Sequence, residues 1–178
     1  ISLMLIALSH ASRRILLLHG SGSSAGAFLN HRALGIVGAA SAAYHDGGPH
    51  AWQFDAVDWD MGIEDTTEWG SWWTSDSFSP DGYVGGEKAI ERVEEAVKAS
   101  AIDGIIGFSE GAALAAVIAA RTSLGVEGAC QNLKFAVMCS GAVPRPYESM
   151  LQQLADAALS LPTMHCISKA DNVMLAEQ

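Results

Sequence analysis

Short aliphatic runs alternate along the chain with longer stretches in which apolar residues recur every three or four positions. The short runs end at glycine, serine or other turn residues, which is typical of strands buried on both faces of a parallel sheet. They predict strands over Ile15–Leu18, Gly104–Phe108, Phe135–Cys139 and Thr163–Ile167, and the alternation of apolar and acidic residues over Phe54–Trp59 predicts another. The longer stretches predict helices over Ala27–Ala43, Glu87–Ser100, Ala112–Arg121 and Glu148–Leu159.

This alternation predicts the fold class, because strands that alternate with helices form βαβ units and a mainly parallel sheet with helices on both faces. A chain of 178 residues is long enough for one domain. We expect that domain to span residues 14–178, after an N-terminal extension over residues 1–13. Residues 62–82 show no periodicity and contain no basic residue. Loops of this length are commonly lids, binding loops or disordered segments, and we expect an insertion or lid there.

Charge excludes one class of partner. The chain has 20 acidic and 10 Lys or Arg residues, for a net charge of −10. A nucleic-acid-binding protein needs a basic face to displace counterions from phosphates, so we expect no nucleic-acid partner. No apolar run approaches the roughly 20 residues of a membrane-spanning helix, and we expect no membrane span.

Cysteine spacing bears on metals and on compartment. Cys130, Cys139 and Cys166 form no CxxC pair, which argues against a zinc site and a disulfide framework. We expect buried thiols, no metal, and a reducing compartment, by default the cytoplasm. The apolar residues Ile1–Leu8 leave an alternative open. They are either a short extension packed on the sheet or the end of a targeting segment for an organelle such as a chloroplast or mitochondrion.

The sequence Gly107-Phe108-Ser109-Glu110-Gly111 fits the pattern G-x-S-x-G between a predicted strand and a predicted helix. Where a strand turns at once into a helix, the backbone crowds the central residue, so we expect small residues at positions 107 and 111. The central hydroxyl then lies at the carboxyl end of the sheet, beside the amino end of a helix, which favours developing negative charge. This arrangement predicts Ser109 as a catalytic nucleophile.

Acyl transfer needs two backbone N–H donors for the oxyanion. One donor is the backbone N–H of the residue after the nucleophile, here Glu110. The other is a backbone N–H in the loop after an early strand, here that of Ser21 or Gly22. The same loop lacks both common glycine-rich phosphate-binding patterns, which argues against a nucleotide site. We expect His19, at the start of the loop, to order it rather than to act as a base.

Asp171 follows the last predicted strand, where a triad acid would orient an imidazole. The alternative is a solvated loop aspartate. In this chain order the histidine follows the acid, and none of the six does: His10, His19, His31, His45, His50 and His165. We therefore expect either a chain truncated before its catalytic histidine or a catalytically silent hydrolase.

Tryptophan is confined to positions 52–73, which carry all five of these residues. The stretch overlaps an acidic block, since residues 46–110 hold 15 acidic and 3 basic side chains. Three interpretations remain open. Trp72 and Trp73 could line an acyl pocket with His19, the segment could bind a protein partner, or the loop could simply pack on the sheet.

Together these features resemble the FSH family of serine hydrolases within the α/β-hydrolase superfamily. The resemblance extends from about Arg14 to Val173. Its parts are LLLHG at 16–20 with Gly22 and Phe28, the pair Trp72-Trp73, Tyr83 with Gly86-Glu87, DGIIGFSEGAA at 103–113, Ser140-Gly141, and Pro162-Thr163. The chain differs from the family at Ser23, where the family has Gln, and at Asp58–Met61, where the family has Asp-x-Pro-His.

The resemblance implies a three-layer α/β-hydrolase-like sandwich that here lacks its C-terminal strand and helix. It implies Ser109 as nucleophile, Asp171 as acid, and an oxyanion hole from Glu110 and the His19–Gly22 loop. The implied reaction is the hydrolysis of small carboxylic esters or thioesters without a cofactor. A second hypothesis is a silent accessory subunit of a larger protein assembly, which binds through the Trp-rich acidic segment.

Overall fold

Five parallel strands form the sheet in the described parts of the computed structural model, which are residues 13–32, 52–57, 72–73, 84–157 and 160–169. The strands are β1 (Arg13–Leu18), β2 (Trp52–Ala56), β3 (Gly104–Phe108), β4 (Phe135–Cys139) and β5 (Thr163–Cys166). Their order across the sheet is β2-β1-β3-β4-β5, and all four pairings are parallel. The predicted α/β fold class is confirmed.

Helices connect the strands in the order that the sequence predicts. They are α1 (Ala25–Ala27), which continues into a π-helical turn over Phe28–Arg32, α2 (Gly86–Ala99), α3 (Glu110–Ser123) and α4 (Glu148–Asp156), which follows a 3₁₀ turn over Arg145–Tyr147. The helix predicted from Ala27 starts two residues earlier, because Ser24 caps it by accepting a hydrogen bond from the Ala27 N–H at 3.2 Å. The remainder of that predicted helix, residues 33–43, lies outside the described residues.

Apolar side chains pack on both faces of the sheet because successive strand residues point to opposite sides. On one face, Leu16 and Leu18 of β1 pack with α2 and α3 in the larger core cluster. On the other face, Ile15 and Leu17 pack with Phe28, at the end of α1. Helical segments therefore cover both faces, as predicted, and the carboxyl edge of the sheet lies between them.

A buried ion pair joins α2 to α3. Glu94 is only 4% exposed, and its Oε1 accepts a hydrogen bond from Arg121 Nε at 2.8 Å. This hydrogen bond raises the pKa of Arg121 above its usual value. Removing one partner of such a pair leaves an uncompensated charge in a region that excludes water. The pair therefore fixes the helix that follows Ser109 against its neighbour.

The division into domains stays a prediction, because residues 1–12 and most of residues 62–82 lie outside the described residues. Within the described parts, no helix is long and apolar enough to cross a bilayer. The longest, α2 and α3, have 14 residues each.

The Glu94–Arg121 pair yields a stability prediction. Glu94→Gln keeps the shape of the side chain but removes its charge, and we expect the free energy of unfolding to fall by about 3 kcal/mol. The matched control is Asp55→Asn, which affects an exposed pair with Arg14 whose side chains are 40% and 35% exposed. That change should cost less than about 1 kcal/mol. Urea denaturation measures the free energy of unfolding of both variants. Equal losses in the two variants would show that burial does not strengthen the Glu94–Arg121 pair.

Candidate active site

The candidate site lies at the carboxyl edge of the sheet, where β1, β3 and β4 end side by side. Leu18 pairs with Gly107, and Phe108 pairs with Cys139. The residues that follow these strands therefore emerge next to one another. Ligands of open parallel sheets bind at this edge.

Ser109 links β3 directly to α3 in an unusual backbone conformation, with φ 55° and ψ −118°. An L-residue is strained at such a positive φ. Hydrogen bonds hold the residue on both sides. Its N–H donates to the Cys139 carbonyl at 2.9 Å, and its carbonyl accepts from the N–H groups of Ala112 at 3.0 Å and Ala113 at 3.2 Å. The residue itself is half-buried.

Glycine allows three segments to meet around this serine. A β-carbon on Gly107 would lie 2.7 Å from the Ala112 α-carbon and closer still to the Gly111 carbonyl. One on Gly111 would lie 2.5 Å from the His19 carbonyl oxygen, and one on Gly20 would lie 3.0 Å from the Ser109 β-carbon. The crowding expected at positions 107 and 111 is therefore present, and the end of β1 approaches the serine as closely as its backbone allows.

The N–H groups predicted to bind an oxyanion come from two segments beside Ser109. Glu110 is the first residue of α3, a helix of 14 residues. Ser21 and Gly22 lie in the turn after Gly20, where Gly22 has φ 69°, a conformation that glycine adopts readily. The partial positive charge at the amino end of α3 favours an anion at this place. The oxyanion roles of Ser21, Gly22 and Glu110 stay predictions.

Trp72 connects these two segments. Its ring stacks on the His19 imidazole with centroids 4.8 Å apart, and its Nε1–H donates to the His19 carbonyl at 2.7 Å. Its backbone N–H donates to the Glu110 carboxylate at 3.3 Å. Trp72 is 0% exposed and His19 is 1% exposed. Sequence reasoning missed this role, since the contacts join residues 53 and 38 positions apart and leave no local pattern.

The burial of these side chains bears on the interpretations of the tryptophan segment. Trp72 and Trp73, at 0% and 5% exposed, belong to the main core cluster. Burial favours packing on the sheet for this pair over contact with a partner. His19 also places Nδ1 2.9 Å from the Gly20 carbonyl oxygen, which agrees with a role in ordering the loop.

A second serine adopts a positive φ next to Ser109. Ser140 follows β4 with φ 51°, and its N–H donates to the Cys166 carbonyl at 2.9 Å. Beside it, a β-carbon on Gly141 would lie 2.7 Å from the Ala112 β-carbon. The Ser140-Gly141 turn therefore packs closely on α3. No repeating pattern of apolar and polar residues in the sequence predicts the positive φ of Ser140.

Several predicted residues lie outside the described residues, so their positions stay predictions. They are Asp171, Trp59, Trp69, His10, His45 and His50. His165 lies on β5, where its side chain is exposed, in the strand that forms one end of the described sheet. The described residues contain no group of three or more His, Cys, Asp or Glu side chains that could hold a metal ion.

Comparisons with known proteins place this site in context. The model of a family described as serine hydrolase (FSH1) matches residues 8–178. The chain is similar to three proteins named "Esterase OVCA2". It is 32% identical to that of Bos taurus over 116 residues and 34% identical to that of Homo sapiens over 119 residues, which in each case is 60% of this chain and 50% of the relative. It is 30% identical to that of Mus musculus over 93 residues, 52% of this chain and 40% of the relative. The chain thus matches about half the length of these relatives or less.

The crowding around Ser109 can be tested by Gly111→Ala. Alanine is the better helix former, by about 1 kcal/mol, but its methyl group would collide with main-chain carbonyls of Leu18 and His19. We expect a net destabilisation of about 2 kcal/mol or more, because the backbone of the sheet must shift. Gly26→Ala is the control, since its β-carbon would meet nothing within 4 Å. Thermal and urea denaturation measure the stability of both variants. A Gly111→Ala variant as stable as the unmodified protein would contradict the close packing of α3 on the end of β1.

The Trp72 contact yields a further prediction. Trp72→Phe keeps an aromatic ring but removes the donor to the buried His19 carbonyl. We expect the free energy of unfolding to fall by about 1–3 kcal/mol, the usual effect of removing a partner from a buried polar group. Urea denaturation measures the change. An unchanged midpoint would show that this hydrogen bond does not stabilise the loop.

Proposed function

The chain belongs to the FSH1 family of serine hydrolases, and from this premise we propose that it cleaves carboxylic esters or thioesters through an acyl-enzyme on Ser109. One observation carries the proposal. Ser109 occupies a single-residue turn between a buried strand and a helix, with φ 55°. Such a turn directs a hydroxyl toward the carboxyl edge of the sheet, next to helix N–H groups.

The proposed reaction proceeds in two stages. The proposal requires a histidine base that follows Asp171 in the full-length protein, because none of the six histidines in this sequence does so. The imidazole of that histidine takes the proton from the Ser109 hydroxyl as the serine oxygen attacks the acyl carbonyl, and Asp171 orients the imidazole. The N–H groups of Glu110 and of Ser21 or Gly22 stabilise the tetrahedral oxyanion. The intermediate collapses, the alcohol or thiol leaves with the proton, and water then hydrolyses the acyl-enzyme by the same steps.

Stabilisation of the oxyanion requires that its donors stay fixed while the charge develops. Here Trp72 supports the proposal, because it bonds to the His19 carbonyl on one segment and to the Glu110 carboxylate on the other. The burial of His19 and Trp72 favours this supporting role over the predicted contact with the acyl group. Trp73 lies in the same core cluster as Trp72, and we propose the same supporting role for it.

Esters are the favoured substrate class, since the similar proteins carry the name esterase. Thioesters would follow the same path, because both substrates pass through the same acyl-enzyme. The alternative function, a catalytically silent accessory subunit, required the tryptophan segment as a docking surface. The described pair Trp72 and Trp73 is buried, so no described contact favours that alternative.

The nucleophile is tested in the full-length protein by Ser109→Ala. We expect loss of covalent labelling by a fluorophosphonate probe, and a fall in kcat for a short-chain aryl ester on the order of 10³-fold or more. Ser149→Ala is the matched control, because Ser149 lies exposed in α4. That variant should label and turn over like the unmodified protein.

The same experiment distinguishes the two functions. Labelling of Ser109 that disappears with Ser109→Ala supports the hydrolase. A folded full-length protein that neither labels at Ser109 nor hydrolyses aryl esters or thioesters would contradict the proposal and favour the silent subunit. Circular dichroism confirms that each variant is folded.

A further inference from the structure

Two thiols lie side by side where β4 and β5 end. Cys139 and Cys166 are paired residues in the parallel register of these strands. Both are free and half-buried. Paired residues of adjacent parallel strands point to the same face of a sheet, so the two sulfur atoms are neighbours. The pKa of Cys139 is raised to about 11, first by burial and then by the adjacent Cys166 sulfur.

We propose that Cys139 and Cys166 form a dithiol site that reacts with small-molecule disulfides and closes reversibly into an intramolecular disulfide in the folded protein. Adjacent strands lie about 4.8 Å apart, within the range of α-carbon separations that a disulfide spans. The β-carbons must still approach each other slightly.

The reaction balances as two thiol–disulfide exchanges. Burial and the adjacent Cys166 sulfur raise the pKa of Cys139, which disfavours Cys139 as the first nucleophile. The Cys166 sulfur therefore attacks one sulfur of the small disulfide, its proton passes to water, and one small thiolate is released. Cys139 then transfers its proton to that thiolate and attacks the Cys166 sulfur, which releases a second small thiolate. The two protein thiols are oxidised to a disulfide, and the small disulfide is reduced to two thiols.

The proposed Cys139–Cys166 disulfide would form beside two backbone hydrogen bonds that hold the ends of β3 and β4. The Cys139 carbonyl accepts from Ser109 N–H, and the Cys166 carbonyl accepts from Ser140 N–H, each at 2.9 Å. A disulfide between the two cysteines would tie the end of β5 to β4 at these hydrogen bonds. The site depends on the register of the strands and is independent of the proposed activity of Ser109.

Cys130 provides an internal control. It is the one cysteine of the sequence outside the pair. Its thiol lies 3.9 Å from the Glu94 carbonyl oxygen, in α2. Burial raises its pKa to about 11 as well. Cys130 is buried, whereas Cys139 and Cys166 are half-buried. Oxidation of Cys130 together with the pair would therefore indicate that the protein had unfolded and exposed all three thiols.

The test is treatment of the folded, full-length protein with oxidised glutathione, followed by alkylation, proteolysis and mass spectrometry. We expect a linked peptide pair joining Cys139 to Cys166, loss of two hydrogens, and recovery of both thiols with dithiothreitol. Hydrogen exchange at Ser140 and along β5 should slow several-fold in the oxidised protein. Cys130→Ser should behave in the same way.

A variant that lacks one thiol of the pair provides the second arm. Cys139→Ser should stop at a glutathione adduct on Cys166, and it should not form the cyclic adduct that a trivalent arsenical makes with two adjacent thiols. The unmodified protein should form that adduct with release of water. Stable glutathione adducts on the unmodified protein, a disulfide to Cys130, or no arsenical bridge would each overturn the proposal. Circular dichroism on Cys139→Ser separates loss of the site from loss of the fold.

Discussion

The close approach of β1, β3 and α3 is the constraint on which the described site depends. Gly107 and Gly111 remove the side chains that would separate β3 from α3 and α3 from the end of β1. With these segments in contact, one residue must reverse the chain, and Ser109 does so at φ 55°. Strain of this kind costs on the order of 1–3 kcal/mol and persists only where surrounding contacts impose it. Here the hydrogen bonds to Cys139, Ala112 and Ala113 impose it.

This geometry also gives Ser109 a local field opposite in sign to that of the whole chain. The protein carries a net charge of −10, which disfavours any further negative charge. The amino end of α3 is nevertheless positive in its partial charges, and that effect is confined to the first turn of a helix. The carboxylate of the adjacent residue, Glu110, accepts a hydrogen bond from the Trp72 N–H. An oxyanion beside Ser109 would therefore be stabilised by the fixed backbone dipoles at the amino end of α3.

The sequence was most informative where a single local pattern determines a segment. The predicted bounds of β3 and β4 coincide with the observed strands, because a short aliphatic run between turn residues has few other ways to be buried. β2 runs from Trp52 to Ala56, earlier than predicted, because its pairing with β1 and the Arg14–Asp55 ion pair set its limits. Helix α3 begins at Glu110, two residues before its predicted start, because Ser109 already takes the cap position. The Trp72 contacts and the φ of Ser140 arise from tertiary packing, which no local pattern records.

Hydrogen bonds between successive strand ends explain why strain, candidate chemistry and the thiol pair share one edge of the sheet. A backbone N–H that leaves the ladder of a parallel sheet needs a new acceptor. Ser109 finds it on Cys139 of the next strand, and Ser140 finds it on Cys166 of the strand beyond. Each connection is therefore anchored on its neighbour, in the order β3, β4, β5. A displacement of β5 would move the acceptor of Ser140, and a twist at the end of β4 would move the acceptor of Ser109. The candidate nucleophile is thus linked through β4 to β5, as well as to the glycines next to it.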